Sequence, residues 1–424
     1  MKDELKNLTT EQLAVIDGVF EKMNEADKSE DVIKNTPKPL EAELPAPIDK
    51  ASIAPEAPAV ASDSPGNNCE VPWVKDNRIN EVLFCRYFIA KHPVIYEMNS
   101  FFDENGICSR EKIENEIFYD ISPYVTSGIA RKVSSLMDAI MMMARCDDMP
   151  LYDDRVNFNN GTLYLEDMHF SESKELCVNR LPVAYNKDAK NPEKWLSFLN
   201  ELLYEEDIVT LQEFMGYTLI PTTRAQSMLL IIGNGGEGKL RVALVLRAIL
   251  GDNMNVCPLD KLAKDRFCRA DQEGKLLMID DDMKMEAMSE TNIIKAVVTM
   301  EGTMDLERKG KQSVQGKLFV RLMGLGNGNL SALYDKSDGF YRRQIVLRTK
   351  EKPADRKDDR MLIDKLTAEK EGIVLWCLHG LRRLRDNDFH FTVSERAKQN
   401  LEESKKEDEN FIEFFESDGY IKLE

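Results

Sequence analysis

The sequence predicts an α/β protein whose second half is built on a largely parallel sheet. Apolar, strand-like runs at Met228–Ile232, Leu318–Met323 and Gln344–Leu347 alternate with stretches of helical periodicity. A fourth run, Lys275–Ile279, is apolar without interruption after its lysine, as in strands that are buried on both faces. These patterns predict an α/β domain over residues 221–352.

The flanking regions differ in composition and periodicity. Residues 1–70 begin with a helix start signal at Thr9 and continue as a stretch rich in Pro, Ala, Glu and Ser, which predicts a disordered acidic arm with one short helix. Residues 71–220 predict a mostly helical domain with one hairpin around Asn160-Gly161. Residues 353–424 predict a C-terminal helical segment.

Charge and cysteine content exclude several classes of protein. The net charge of −18 argues against a protein that coats nucleic acid non-specifically, but residues 305–350 hold 10 basic and 4 acidic side chains and could contact a phosphate backbone. The eight Cys and four His have no zinc-ligand spacing, so we expect buried reduced thiols. There is no signal peptide or long apolar run, and we expect a soluble, cytoplasmic protein without membrane contact.

A glycine-rich loop follows the first strand of the predicted sheet. The pattern Gly-x4-Gly-Lys ends at Lys239 and precedes a helical stretch, which is the strand, loop and helix order of a P-loop. Glycines let such a loop point backbone N–H groups at phosphate oxygens. The next position should be Ser or Thr, whose hydroxyl binds Mg²⁺, but it is Leu240. We assign nucleotide binding to Gly233, Asn234, Gly235, Gly236, Glu237, Gly238, Lys239 and Leu240; a glycine turn without a ligand is the alternative.

Polar residues near the other strands complete a candidate nucleoside triphosphate site. Asp280 and Asp281 follow an apolar strand and suit a Mg²⁺ ligand and a carboxylate that orients the attacking water. Asn327 could hold that water or the γ-phosphate, and Arg342 or Arg343 could act as an arginine finger. A solvated turn and a surface patch are the alternatives for the acidic and the basic pair.

The basic turn at residues 306–311 is a candidate for contact with nucleic acid. Arg308, Lys309 and Lys311 surround a central glycine between strand-like stretches, which suits phosphate-backbone binding. An ordinary solvated hairpin is the alternative.

The combined pattern resembles superfamily 3 helicases, and more closely the C-terminal region of phage and plasmid primase-helicases, which are related to the poxvirus primase-helicase. The resemblance covers roughly residues 75–415. It is carried by Asn159-Asn-Gly-Thr-Leu, Leu181-Pro-Val-Ala-Tyr, Leu211-Gln-Glu-Phe-Met-Gly, the glycine-rich loop, Asp280-Asp281, Gly326-Asn327, Phe340-Tyr-Arg-Arg and Glu371-Gly-Ile-Val-Leu-Trp.

The resemblance implies an AAA+-like P-loop ATPase domain, preceded by a collar at residues 71–220 and working as a hexameric ring with ATP and Mg²⁺ as cofactors. It implies that Arg343 or Arg342 reaches a neighbouring subunit's nucleotide and that the basic turn grips single-stranded DNA in the central channel. The setting it implies is the replication of a phage, plasmid or mobile element in a bacterial host, with a primase or initiator as a possible partner.

This chain departs from the family in three respects. Leu240 replaces the Mg²⁺-binding hydroxyl, no primase domain is expected within residues 1–70, and no winged-helix module is expected at the end. We therefore expect an ATP-dependent DNA helicase. A nucleotide-binding ring with impaired hydrolysis and an origin-melting replication initiator remain the alternatives.

Overall fold

The computed structural model describes residues 71–417 except 76–77, 147–150, 284–287, 289, 301, 311, 330–337 and 354–358, with side chains described as far as residue 406. The arm expected over residues 1–70 lies outside these residues. The described residues form a mixed α/β structure with 13 α-helices and a central five-stranded parallel sheet, so the expected class is confirmed. Among these helices, none combines the length and hydropathy required to cross a bilayer.

The first packing unit spans residues 71–146 and has its own hydrophobic core, which includes Trp73, Phe84, Phe88, Ile117 and Met137. Side-chain caps begin two of its helices: Asn80 accepts a hydrogen bond from the Leu83 amide, and Ser109 accepts one from the Lys112 amide. Its elements are β1 (Val74–Lys75), β2 (Arg78–Ile79), α1 (Glu81–Lys91), β3 (Ile95–Glu97), β4 (Ser100–Asp103), β5 (Gly106–Cys108), α2 (Arg110–Ile121), a 3₁₀ turn (Ser122–Tyr124) and α3 (Ile129–Met143).

The next stretch forms a small four-stranded sheet and two helices. The predicted hairpin is present, because Phe158 pairs with Gly161 across the turn at Asn159-Asn160. The elements are β6 (Arg155–Phe158), β7 (Gly161–Tyr164), β8 (Phe170–Ser171), β9 (Arg180–Leu181), α4 (Glu193–Leu202) and α5 (Glu205–Tyr217). Residues 71–220 thus hold five helices of 10 to 15 residues and nine short strands in their described part. The two- to four-residue strands are too short to show a periodicity in sequence.

The central sheet has the strand order β11-β12-β15-β10-β16, and all its strands are parallel. Register aligns Ile232 at the end of β10 with Gly326 and Arg348, so the carboxyl ends of three strands meet at one edge. The elements are β10 (Met228–Ile232), α6 (Lys239–Leu250), a 3₁₀ turn (Gly251–Asn253), β11 (Met254–Val256), α7 (Leu259–Lys264), α8 (Arg266–Ala270), β12 (Leu277–Met283), α9 (Asn292–Thr299), β13 (Met304–Leu306), β14 (Val314–Gly316), β15 (Arg321–Gly326), α10 (Asp338–Tyr341) and β16 (Gln344–Arg348).

The C-terminal segment packs back onto the rest of the molecule as α11 (Leu362–Thr367), α12 (Lys370–Asp386) and α13 (Glu395–Ser417). Helices α12 and α5 touch backbone to backbone, since a Cβ atom on Gly216 would lie 2.6 Å from the Leu381 amide nitrogen. Helix α13 lies along β16, and Asn400 Nδ2 donates to the Val346 carbonyl at 3.0 Å.

The main hydrophobic core includes Phe102 of the first unit and extends from Val156 through the sheet to Ala397. It therefore crosses both boundaries expected from sequence, near residues 220 and 352, and neither is a break in packing. Cys85, Cys108, Cys177 and Cys377 are buried free thiols, as expected. Cys257 and Cys268 are 11 positions apart in sequence and are neighbours in the fold, with their Cα atoms 7.6 Å apart.

Candidate functional site

The glycine-rich loop lies at the carboxyl end of β10, flanked by the ends of β15 and β16. In open parallel sheets, ligands bind at this edge, where neighbouring strands connect in opposite directions. A Cβ atom on Gly233 would clash with Thr349 Oγ1 and lie 3.0 Å from Glu237 Cδ and from Lys239 Nζ, so a larger residue there would displace these three side chains. Gly235, Gly236 and Gly238 all have positive φ, and Gly238 begins α6 with φ 112°. The loop is thus wrapped around the start of a helix, with Asn234 exposed on its outer side.

The Lys239 ammonium group lies inside the hollow of the loop. Nζ donates to Glu237 Oε2 at 2.9 Å and to Asn327 Oδ1 at 3.1 Å, and both the lysine and glutamate side chains are less than 10% exposed. The Glu237 carboxylate also accepts backbone N–H bonds from Asn234 and from Glu237 itself. Burial would raise the pKa of Glu237, but the hydrogen bond and positive charge of Lys239, together with these backbone bonds, outweigh burial and lower the pKa below its usual value.

Leu240 follows Lys239 in the first turn of α6 and is 44% exposed. Its side chain contributes no oxygen, so it cannot replace a serine or threonine hydroxyl as a cation ligand.

The two predicted acidic residues of β12 face different environments. Asp280 is buried, and its Oδ2 accepts the Leu259 amide at 2.8 Å at the start of α7. Burial raises the pKa of Asp280, although backbone hydrogen bonds from Leu259 and Asp282 oppose the shift. Pairing with β15 is irregular between Asp280 and Met283, and within this bulge Asp281 and Asp282 are both exposed. Asp281 is therefore the carboxylate of the predicted pair that solvent and a bound cation can reach.

Two further residues border the loop from neighbouring strands. Asn327, which follows β15, is brought to Lys239 as expected. Thr349, which follows β16, was not predicted, yet its Oγ1 is the atom that a Cβ on Gly233 would meet first. The rule that identified Asn327, a polar residue at the carboxyl end of a buried strand, also applies to Thr349.

The predicted arginine pair lies at the amino ends of the strands, on the opposite side of the sheet from the glycine-rich loop. Gln344 pairs with Met228, the first residue of β10, and the Met228 amide donates to the Arg343 carbonyl. Arg343 thus precedes the carboxyl end of β16 by five residues, or roughly 16 Å at 3.3 Å per residue. Its guanidinium donates to the Gly339 carbonyl, while Arg342 is exposed. The structure does not bring either arginine to the loop of the same chain.

The basic hairpin is formed by β13 and β14 and leads to the amino end of β15. Arg308 forms an ion pair with Glu273, and Glu307 forms one with Arg266 at 3.2 Å, so Arg308 holds the hairpin against the segment around α8. Lys309 is exposed at the turn, whereas Lys311 lies outside the described residues.

Only some of the basic residues between positions 305 and 350 lie on the protein surface. Arg321 is 2% exposed and donates to the Thr218 and Phe319 carbonyls, and burial lowers the pKa of Arg321 to about 10. Lys317, which follows β14, is exposed like Lys309. Among the basic residues of this stripe that the structure describes, the exposed ones are Lys309, Lys317 and Arg342.

Taken together, the carboxyl ends of the strands carry the backbone donors of the loop, the buried Lys239 ammonium, the Asn327 amide and the exposed Asp281 carboxylate. Such donors suit an anion with several oxygens, as at other helix N-termini preceded by glycine-rich loops. In the part of the chain that the structure describes, no group of three or more His, Cys, Asp or Glu side chains is placed to hold a metal ion.

Comparisons with known proteins agree with this arrangement. A model of the D5 N terminal like family matches residues 120–203, and a model of DUF5906, a family of unknown function, matches residues 231–343. No curated protein matches the chain.

Solved structures of the NrS-1 C-terminal region are also similar. One apo structure has 15% identity and a TM-score of 0.50, covering 76% of this chain and 75% of that chain. Two A-form apo structures, at 13% and 14% identity, have TM-scores of 0.49 and 0.46 and cover 76% and 73% of this chain and 75% and 71% of theirs. At this level of identity the likeness extends to the fold alone.

The D5 N-terminal-like segment lies in the region where the resemblance was expected, and the DUF5906 segment contains the glycine-rich loop, β12 and Asn327. The resemblance deduced from the sequence is confirmed in these terms: the chain is similar to the D5 N terminal like family over residues 120–203 and to the NrS-1 C-terminal region in its fold.

Proposed function

We propose that the chain is an ATP-dependent DNA helicase that works as a hexameric ring on single-stranded DNA during replication. The observation that carries this proposal is the hydrogen bond from Lys239 to Asn327, which joins the glycine-rich loop to the end of the neighbouring strand β15. This bond brings the lysine that would bind the phosphates and the amide that would contact the γ-phosphate into one site.

The position of Arg343 supports action between subunits. It lies about five strand residues from the loop of its own chain, so it can complete a nucleotide site only in a neighbouring copy. Each copy would then present its loop at the carboxyl ends of the strands and its arginine at the amino ends. This is the arrangement that a closed, head-to-tail ring requires.

The cofactors in this proposal are ATP and Mg²⁺. The loop fits the phosphates, since it offers backbone N–H groups and the Lys239 ammonium at the N-terminus of α6. The fit to Mg²⁺ is weaker: Asp281 is exposed and could bind the cation or its waters, but Leu240 supplies no oxygen. When bound, Mg²⁺ would supply charge neutralisation on the β- and γ-phosphates, while Lys239 and Asn327 orient the terminal phosphate.

Leu240 favours a second candidate, a ring that binds nucleotide for assembly and hydrolyses it poorly. DNA-stimulated ATPase activity of the full chain, Lys239→Ala and Leu240→Ser separates the two. Turnover of the natural chain well above that of Lys239→Ala supports the motor. Turnover in Leu240→Ser alone supports the assembly ring, and equal turnover in all three refutes ATP chemistry at this loop.

A further inference from the structure

Glu237 and Lys239 form a buried ion pair inside the glycine-rich loop. Glu237 Cδ and Lys239 Nζ both lie 3.0 Å from where a Cβ on Gly233 would be, so the pair packs directly against the first glycine of the loop. The pair is 2.9 Å from nitrogen to oxygen, and the glutamate residue is 3% exposed. A buried carboxylate within a phosphate-binding loop is unfavourable unless something there neutralises it.

The hydrogen bonds of Glu237 are those that a phosphate would make. Its carboxylate accepts from the Lys239 ammonium and from backbone N–H groups of Asn234 and Glu237, all within the loop. Carboxylate and phosphate oxygens are both charged acceptors and compete for the same donors. Glu237 therefore occupies the loop as an internal anion.

We propose that Glu237 is a positioning residue that holds Lys239 in the nucleotide-free loop and must be displaced by the nucleotide's phosphates. The proposal rests on nucleotide binding at this loop. Displacement breaks a charge-assisted hydrogen bond and moves a carboxylate away from the incoming anion. The natural chain consequently binds nucleotide less tightly than the same loop without that carboxylate.

The test is calorimetric titration of the full chain with ADP and with adenosine, with and without Mg²⁺. Glu237→Gln keeps the shape of the side chain and an oxygen for the backbone amides but removes the charge. We expect it to bind ADP at least about tenfold more tightly than the natural chain. Adenosine has no phosphates to compete with Glu237, so its affinity is expected to stay the same.

Glu351→Gln is the matched control, because Glu351 is exposed on the segment that follows β16 beside the loop. It removes the same charge without touching Lys239, and we expect less than a twofold change in ADP affinity. A gain as large as that of Glu237→Gln would overturn the proposal in favour of general electrostatics. Circular dichroism of each variant checks that the fold is retained.

If Glu237 had only a structural role, Glu237→Gln would loosen the loop and weaken ADP binding, which is the opposite of the expected change. Equal or weaker ADP binding by Glu237→Gln therefore overturns the proposal, and weakening that requires Mg²⁺ identifies Glu237 as a cation ligand instead. Lys239→Ala separates this failure from failure of the proposed function. If Lys239→Ala loses ADP binding while Glu237→Gln gains nothing, only the internal anion is refuted. If Lys239→Ala binds ADP as well as the natural chain, nucleotide binding at this loop is refuted.

Discussion

Replacing Glu213 by glutamine tests how the C-terminal segment is joined to the helix that precedes the central sheet. Glu213 lies on α5, is fully buried and accepts three hydrogen bonds: from Arg383 Nε at 2.6 Å, from the Thr392 amide at 2.7 Å and from Thr392 Oγ1 at 2.8 Å. A glutamine has one acceptor oxygen and an NH₂ group that would face a donor. Glu213→Gln is therefore expected to destabilise the protein.

The magnitude follows from the bonds that are lost. A hydrogen bond to a charged group contributes about 1.5–3 kcal/mol, and removing one partner of a fully buried ion pair costs about 3–5 kcal/mol. The Arg383 side chain is 38% exposed and can regain water, which places the expected cost at the lower end. We expect a loss of about 2–3 kcal/mol in the free energy of unfolding.

Urea unfolding followed by tryptophan fluorescence measures this loss. The rings of Trp195 and Trp376 lie 5.9 Å apart in the main core, so they report on the region around Glu213. Trp73 belongs to the separate core of the first unit, and a Trp73→Phe background removes its signal.

Glu206→Gln is the matched control, because Glu206 is on the same helix and forms an exposed ion pair with Arg396. Exposed pairs add little, so its unfolding midpoint should be close to that of the parent. If Glu213→Gln and Glu206→Gln shift the midpoint equally, the buried carboxylate does not join the two segments.

Three further outcomes are expected. Burial raises the pKa of Asp280, so ionising this carboxyl group in the folded protein costs stability as the pH rises through that pKa. Asp280→Asn should therefore melt at a higher temperature than the natural chain at pH 7, and this difference should vanish towards pH 4. A difference in melting temperature that does not depend on pH would contradict the reasoning. Lys309→Ala with Lys317→Ala should weaken binding to single-stranded DNA and reduce its slope against salt concentration by about 2, and an unchanged slope excludes the hairpin as a DNA contact. Arg343→Ala mixed with Lys239→Ala should restore part of the ATPase activity that each variant lacks alone, whereas a strict absence of complementation argues against sites shared between subunits.

Local chemistry determined how much of the site could be predicted. The bounds of β10 and the course of the loop follow from an uninterrupted apolar run and from glycine spacing, and the expected bounds of β10 agree with the structure to the residue. Asn327 was also expected beside the loop, because strand ends in a parallel sheet share an edge. Each of these inferences needs only neighbouring residues or one topological rule.

The remaining features depend on contacts between distant segments. Asp281 and Asp282 are both exposed, instead of alternating between the two faces, where the pairing of β12 with β15 is irregular, which no pattern within β12 reveals. Arg343 precedes β16 and therefore lies at the amino ends of the strands, away from the loop. The sequence alone does not show this separation, because it depends on the parallel pairing of β16 with β10. The edge strand β11 has three residues and no recognisable periodicity.

Covering β16 with α13 limits how copies of this protein can meet. An uncovered edge strand is a template on which another chain can extend the sheet, and Asn400 instead takes up the Val346 carbonyl on that edge. In the ring proposed above, neighbouring copies would therefore not join by strand addition at this point of β16, and would meet there through side chains and loops. Such contacts can loosen and re-form without breaking backbone ladders, which would allow an interface to change with each nucleotide while every sheet stays intact.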